Sequence, residues 1–345
     1  GIGHYFVPIY TRVVDTAESK DNINKAYNLI STSKVRNEMI IDDAITCVAR
    51  KQTPVILTRF KEHAKFLHDA LKEKADHVFL LYGDNSDKEN AEIRVKLKQI
   101  PENESLILVA TGQKIGEGFD FPRLDVLMLA APVSFEGRLE QYVGRLNRDY
   151  VGKEAVYVYD YIDSHVRYFD KMYAKRLRTY RKTGFSIWTQ ELQPKQIINA
   201  IFDSVNYTEK FEQDIVESEK MVVISSPDIR QDKIDRFLLL VKKRQEVGVK
   251  VTVITTDPED ITYGKSDVCY ELIRAMQLVG INVITRTEVE ECFAVIDDEI
   301  VWHGGMNLLG KADVWDNLMR IRNSQVATEL LEIALGCSEE RRKSE

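Results

Sequence analysis

Arg145 and Arg148 stand three residues apart, behind a glutamine and a glycine, in the run Gln141-Tyr-Val-Gly144-Arg145-Leu-Asn-Arg148. Arginine keeps its charge at any working pH and presents a planar fork of N–H donors. Two of them can therefore neutralise the charge that develops on a transferring phosphoryl group. Positions i and i+3 share one face of a helix, so the spacing predicts two guanidinium groups one turn apart. A solvated surface helix with ion-paired arginines carries the same pattern, and the segments upstream are what separate the two readings.

Those segments read as the elements of an α/β sheet. Leu106-Ile-Leu-Val-Ala110 is apolar and partly β-branched, stops at Thr111-Gly112, and is followed by Gly116, Gly118 and Asp120. This is a buried strand entering a glycine-rich loop. Val55-Ile-Leu-Thr58-Arg59-Phe60 is a strand leading into an amphipathic helix over 61–72. Phe79 to Gly83, Val126 to Ala130 and Val156 to Asp160 supply three more strands. Strands alternating with helices predict a parallel sheet covered on both faces.

With the elements in place, the motifs resemble those of superfamily-2 helicases of the DEAD/DEAH-like kind. Q-x-x-G-R-x-x-R at 141–148 resembles motif VI, the run from Thr111 to Gly118 and Asp120 resembles motif V, T-x-x-x-x-x-G-x-D, with one residue more between the threonine and the glycine, and 55–60 resembles motif IV. Their order is that of the second RecA-like lobe, over residues 1–185. The resemblance implies that Arg145 and Arg148 are fingers reaching toward ATP and that Gln141 couples ATP to lobe closure. It places Gly118, Asp120 and Gly144 on the ATP side, and Thr58, Arg59, Thr111 and Gly112 on the nucleic-acid backbone. DNA is favoured over RNA as the strand.

An ATPase of this class also needs a phosphate-cradling G-x-x-x-x-G-K-[ST] loop and an acidic Mg²⁺ ligand. The nearest match, Gly305 to Ala312, puts alanine where the metal-binding hydroxyl belongs and lies downstream of the other motifs; no DEAD or DEAH tetrapeptide occurs. ATP and Mg²⁺ are therefore expected to be held mainly by a first lobe outside this chain, which begins Gly1-Ile-Gly and is expected to be a piece of a longer protein. Alone it is expected to hydrolyse nothing.

The 345 residues are 44% hydrophobic and 30% charged, enough for two domains with proper cores. No apolar run reaches membrane-spanning length and no signal peptide is visible, so no membrane partner and a cytoplasmic location are expected. Cys47, Cys269, Cys292 and Cys337 have no C-x-x-C spacing, so reduced thiols and no metal site are expected. The net charge of −7 confines any nucleic-acid binding to local patches. One such patch runs from Lys171 to Lys182, where Lys171, Lys175, Arg176, Arg178, Arg181 and Lys182 alternate with Tyr173 and Tyr180. It reads either as a strand-binding helix with stacking tyrosines or as a solvated helix packing Met172, Leu177 and Tyr180 on the lobe.

Residues 186–195, with Pro194, read as a linker. A helical stretch is expected from 196 to about 220, then a strand, helix, glycine, strand grammar through 285, and strands at 293–296 and 300–302. That block ends in Gly304-Gly305-Met306-Asn307, and with Asp297 seven residues before the first of these glycines it resembles the phospholipase D signature H-x-K-x-x-x-x-D with G-[GS]-x-N. The histidine position falls on Glu290 and the lysine position on Cys292. A carboxylate repels a phosphodiester and cysteine supplies no positive charge. The fold class expected is therefore a RecA-like parallel-sheet lobe followed by a phospholipase D-like α/β domain over 196–345 without that family's chemistry, able to dimerise or to guide nucleic acid. Two other readings are a nuclease or phosphodiesterase using Glu290, Cys292 and His303 with a metal at Asp297 and Asp298, and a non-catalytic nucleic-acid-binding adaptor.

Overall fold

The computed structural model describes residues 1–112, 120–133, 136–188, 199–261 and 266–336. The chain falls into two compact units, Gly1–Glu191 and Leu192–Glu345.

The first unit is the α/β fold expected of it. A seven-stranded sheet runs in the order β3-β4-β2-β5-β6-β1-β7. Its strands are β1 (Gly3–Tyr10), β2 (Pro54–Thr58), β3 (His77–Leu81), β4 (Leu106–Thr111), β5 (Val126–Leu129), β6 (Ala155–Ile162) and β7 (Ser186–Ile187). Every pairing is parallel. β2, β4 and β5 are buried at every position, which is why they read as unbroken apolar runs rather than alternations. The helices are α1 (Ile23–Ser31), α2 (Lys34–Ala49), α3 (Lys61–Leu71), α4 (Asp87–Gln99), α5 (Glu136–Leu146) and α6 (Arg167–Lys182). The sheet continues into the stretch read as a linker: Ser186 and Ile187 pair with β1, and the Trp188 N–H donates to Phe6 O at 2.9 Å.

β1 was not anticipated from the sequence. Pro8 weakens its signal, since proline donates no ladder bond. It is tolerated because the β7 side of the strand is paired only at Tyr5 and Phe6.

Two buried arginine–aspartate pairs tie the helices to the sheet. On α2, Arg36 donates Nε and Nη2 to Asp163 at 2.8 and 3.0 Å and Nη1 to Ala130 O. On α6, Arg176 donates Nε and Nη2 to Asp160 at 2.8 and 2.7 Å, and Tyr180 Oη donates to the same carboxylate at 2.6 Å. Tyr173 and Tyr180 are fully buried with Leu177, so they are not available to stack on bases. The segment 171–182 is the helix packed on the lobe, not a strand-binding helix with stacking tyrosines.

The second unit carries a mixed sheet in the order β11-β10-β9-β12-β13-β14-β8. β9 (Met221–Ser225), β10 (Lys250–Thr256) and β11 (Asn282–Arg286) are parallel, with α8 (Gln231–Glu246) and α9 (Ser266–Leu278) as crossovers. β12 (Cys292–Ile296), β13 (Ile300–Gly304), β14 (Asn317–Arg322) and β8 (Ala200–Asp203) continue antiparallel, and α10 (Ser324–Ala334) follows. The helix expected from 196 to about 220 is instead β8 followed by α7 (Tyr207–Val216). β8 is set by its pairing with β14, more than a hundred residues away, and by an Asp203 turn that accepts Val205 N and Asn206 N. No local periodicity encodes that pairing. Among the described residues, no helix is long and apolar enough to cross a membrane.

Candidate nucleic-acid and nucleotide site

Thr58 and Thr111 are the last residues of β2 and β4 and are direct register partners. They therefore open side by side at the carboxyl ends of adjacent parallel strands, where open α/β sheets bind ligands. A groove of about 870 Å³ lies there, lined among others by Thr58, Arg59, Lys61, Thr111, Gly112, Arg138 and Gln141. Residues of all three sequence motifs thus share one surface, and three of the lining side chains are cationic.

The groove is held by a small set of contacts. Arg59 is exposed and stacks its guanidinium over Tyr27, 4.4 Å from the ring centroid. Tyr27 Oη in turn donates to Pro132 O at 2.8 Å, and burial raises its pKa against the pull of Arg59. Thr58 Oγ1 is 2.5 Å from His63 Nδ1, and His63 Nε2 is 2.8 Å from Asn37 Oδ1. Burial, reinforced by the Arg36 charge, pushes the His63 pKa down to about 3, so the ring is neutral. Asn37 Nδ2 donates to Ser31 O, which leaves Oδ1 to accept from Nε2 and Nδ1 to accept from the Thr58 hydroxyl. The Thr58 proton is therefore committed inward, and what Thr58 offers the groove is backbone. Gly112 lies against Tyr142: a Cβ there would stand 2.5 Å from Tyr142 Oη.

The arginines lie at the other end of α5. The helix ends at Leu146, with Asn147 N bonding back to Val143 O at 2.9 Å, so Arg145 is helical and Arg148 lies in the loop beyond. The expectation of two guanidinium groups on one helical face is corrected here: Asn147 and Asp149 are weak helix formers, and the chain leaves the helix between the arginines. Arg148 Nε is 3.5 Å from Asp120 Oδ1, with both side chains about half exposed (53% and 52%). This joins the end of the motif V loop to the end of motif VI. Gln141 and Gly144 are exposed on α5. Gly118, like Gly116, lies outside the described residues. Beneath Arg148, Lys153 Nζ donates to Pro122 O at 2.9 Å, to Arg148 O at 3.0 Å and to Leu146 O. Burial lowers its pKa against the opposing charges of Asp125 and Asp149.

In the second unit the signature residues divide. Cys292 Sγ lies 3.9 Å from both Glu290 O and Asn307 Oδ1, so Glu290, Cys292 and Asn307 are together. Asn307 Oδ1 also accepts from Asp228 N at 3.0 Å. Asp297 is at the opposite end of β12, roughly 16 Å of extended chain away. There it takes a left-handed φ of 57° in the hairpin turn and accepts the N–H groups of Glu219, Lys220 and Met221 at 2.7–3.1 Å. Its oxygens are occupied in closing that loop. His303 is fully buried, paired across the sheet with Phe293 and Met319. Gly304 and Gly310 are required sterically, since a Cβ would fall on the backbone of Asn317 or Asp228.

Lys61, Arg138, Tyr27 and Lys153 were not singled out from the sequence. Lys61 follows Arg59 by two residues, and Arg138 precedes Gln141 by one helical turn, so both were within reach of a spacing argument. Tyr27 and Lys153 reach the site only through the tertiary fold.

No protein-family model matches the chain. It is similar to helicase-like viral proteins. It is 30% identical over 138 residues to "Transcript termination protein A18" of Yaba-like disease virus, covering 38% of this chain and 28% of that protein. It is 33% identical over 118 residues to "Putative helicase 161L" of Invertebrate iridescent virus 6, covering 34% of this chain and 22% of that protein. Against vaccinia virus (strain Copenhagen) "Transcript termination protein OPG145" it is 25% identical over 201 residues, 52% of this chain and 40% of that protein. The chain thus spans less than half the length of these relatives. Among solved structures, T4 UvsW aligns with a TM-score of 0.44 at 20% identity, covering 56% of this chain and 42% of that one. The C-terminal domain of the DEAD-box protein Dbp5 aligns with a TM-score of 0.32 at 14% identity, covering 54% and 89%.

Proposed function

We propose that Gly1–Glu191 is the second RecA-like lobe of an ATP-dependent superfamily-2 helicase or translocase. The observation that carries this reading is the convergence of Thr58, Arg59, Thr111, Gly112 and Gln141 on one cationic groove, with Arg148 paired to Asp120 at the far end of the same helix. A nucleic-acid backbone lies along the groove, gripped by Thr111, by main-chain N–H groups around Thr58 and Gly112, and by Arg59. Arg138 adds charge that a chain of net −7 supplies only locally, while the Lys61 ammonium is paired with Asp84 at 2.7 Å.

Arg145 and Arg148 face the nucleotide of the companion lobe, which supplies most contacts to ATP and Mg²⁺. When bound, Mg²⁺ would offset the charge of the phosphates. This chain's part is to present two guanidinium groups and the Asp120 and Gly144 backbone to that nucleotide, and to link them through α5 and Gln141 to the strand-binding groove. The relatives' names, a transcript termination protein and a helicase, agree with work on nucleic acid. The second unit is, on this reading, a phospholipase D-like domain that has kept the fold and lost the reaction: Glu290 and Cys292 stand at the nucleophile and phosphate-binding positions, and Cys292 is buried.

Fluorescence anisotropy of this chain with labelled single-stranded DNA and RNA tests the groove. Arg59→Ala is expected to weaken binding of either strand and to reduce the slope of log K against log salt by about 1. Equal affinity and slope for wild type and variant would remove the groove from the account.

A further inference from the structure

Every proton of one ammonium group is spent at the end of the motif VI helix. Lysine has three N–H donors, and those of Lys153 go to Leu146 O, Arg148 O and Pro122 O. Leu146 O is one of the carbonyls a helix terminus leaves without an intrahelical donor. Arg148 O fixes the backbone of the arginine itself. Pro122 O belongs to the other segment, two residues beyond Asp120, the carboxylate that meets the Arg148 side chain. Lys153 is placed beneath these carbonyls by the turn after Asp149: Gly152 takes φ +80°, and Lys153 N donates to Tyr150 O at 3.0 Å. One side chain thus holds both sides of the Asp120–Arg148 pair from below.

We infer that Lys153 is the positioning residue for Arg148, a staple that fixes the end of α5 against the segment carrying Asp120 so that the Arg148 guanidinium projects in one direction. It touches neither nucleotide nor strand and acts only through Arg148. A finger in a loop, unlike one on a helix, needs such an anchor, and a displacement of about 1 Å at a charge-stabilising group costs up to about 100-fold in rate. The inference rests on the proposed role of Arg148.

The test is ATP hydrolysis, stimulated by single-stranded nucleic acid, in a full-length protein that pairs this chain with its nucleotide-holding lobe, comparing wild type, Lys153→Met, Arg148→Ala and the double variant. Lys153→Met is expected to lower kcat roughly 10- to 100-fold with KM for ATP unchanged. Combined with Arg148→Ala it is expected to add no further loss, because a residue acting through Arg148 has nothing left to position. Should Lys153→Met lower the melting temperature, Lys153→Gln, which keeps a shorter donor over the same carbonyls, is expected to give an intermediate kcat. Additive losses in the double variant, or a kcat unchanged in Lys153→Met while Arg148→Ala is inactive, would overturn the staple. An active Arg148→Ala would instead overturn the finger assignment beneath it.

Discussion

Arg148 meets Asp120 across the end of α5, Nε to Oδ1 at 3.5 Å, with both groups about half exposed. Arg176 meets Asp160 in the same unit through two bonds of 2.7 and 2.8 Å with both groups buried. The first pair is cheap to open and the second is not, which fits the ligand-facing role proposed for Arg148 and the helix-holding contact of Arg176. Exposed pairs contribute about 0–1 kcal/mol, whereas breaking a buried pair costs on the order of 3–5 kcal/mol. Asp120→Asn is therefore expected to leave the melting temperature almost unchanged and Asp160→Asn to lower it severely. A large loss from Asp120→Asn would make that pair structural rather than available.

Gly112 has no room for a side chain. A Cβ would lie 2.5 Å from Tyr142 Oη, and Tyr142 is buried. Gly112→Ala is expected to cost about 1–3 kcal/mol in denaturant unfolding. Adding Tyr142→Phe, which removes the clashing oxygen, is expected to recover most of that loss. Independent, additive effects would show that the two motifs do not touch.

Asp43 on α2 has its pKa raised to about 6, chiefly by burial, with the Tyr161 hydroxyl bond and Arg50 opposing and Asp42 adding to the rise. A carboxyl whose folded pKa exceeds its unfolded value contributes stability that is present below about pH 4 and lost as pH rises through about 6. Asp43→Asn is therefore expected to match wild type near pH 4 and to be more stable by on the order of 1–2 kcal/mol above pH 7. Melting curves across that range check it. A difference that shrinks as pH rises would reverse the sign assigned here.

The parallel sheet was legible because β2, β4 and β5 are buried on both faces and so are written as continuous apolar runs. The motif residues at the strand ends were legible because Thr58, Thr111 and Gln141 sit where those runs and the helix phase leave them. Four features were hidden, mostly for non-local reasons. Arg148 departs from the helix because Asn147, Asp149 and a lysine five residues downstream decide where α5 stops. Tyr173 and Tyr180 were ambiguous because an alternating basic and aromatic helix looks alike in solvent and against a sheet; the buried Asp160 that anchors Arg176 and Tyr180 settles the matter. β8 exists through its pairing with β14, and the three N–H groups that Asp297 accepts come from residues more than seventy positions away in the sequence.

On the proposed function, Arg148 acts on a nucleotide held elsewhere while Thr111 and Arg59 act on the strand. The most direct measurement is strand-stimulated ATP hydrolysis by a full-length protein containing this chain, wild type against Arg148→Ala, with ATP binding followed in parallel. The expected result is a loss of about 1,000-fold in kcat with ATP affinity retained. Hydrolysis undiminished by Arg148→Ala would contradict the account.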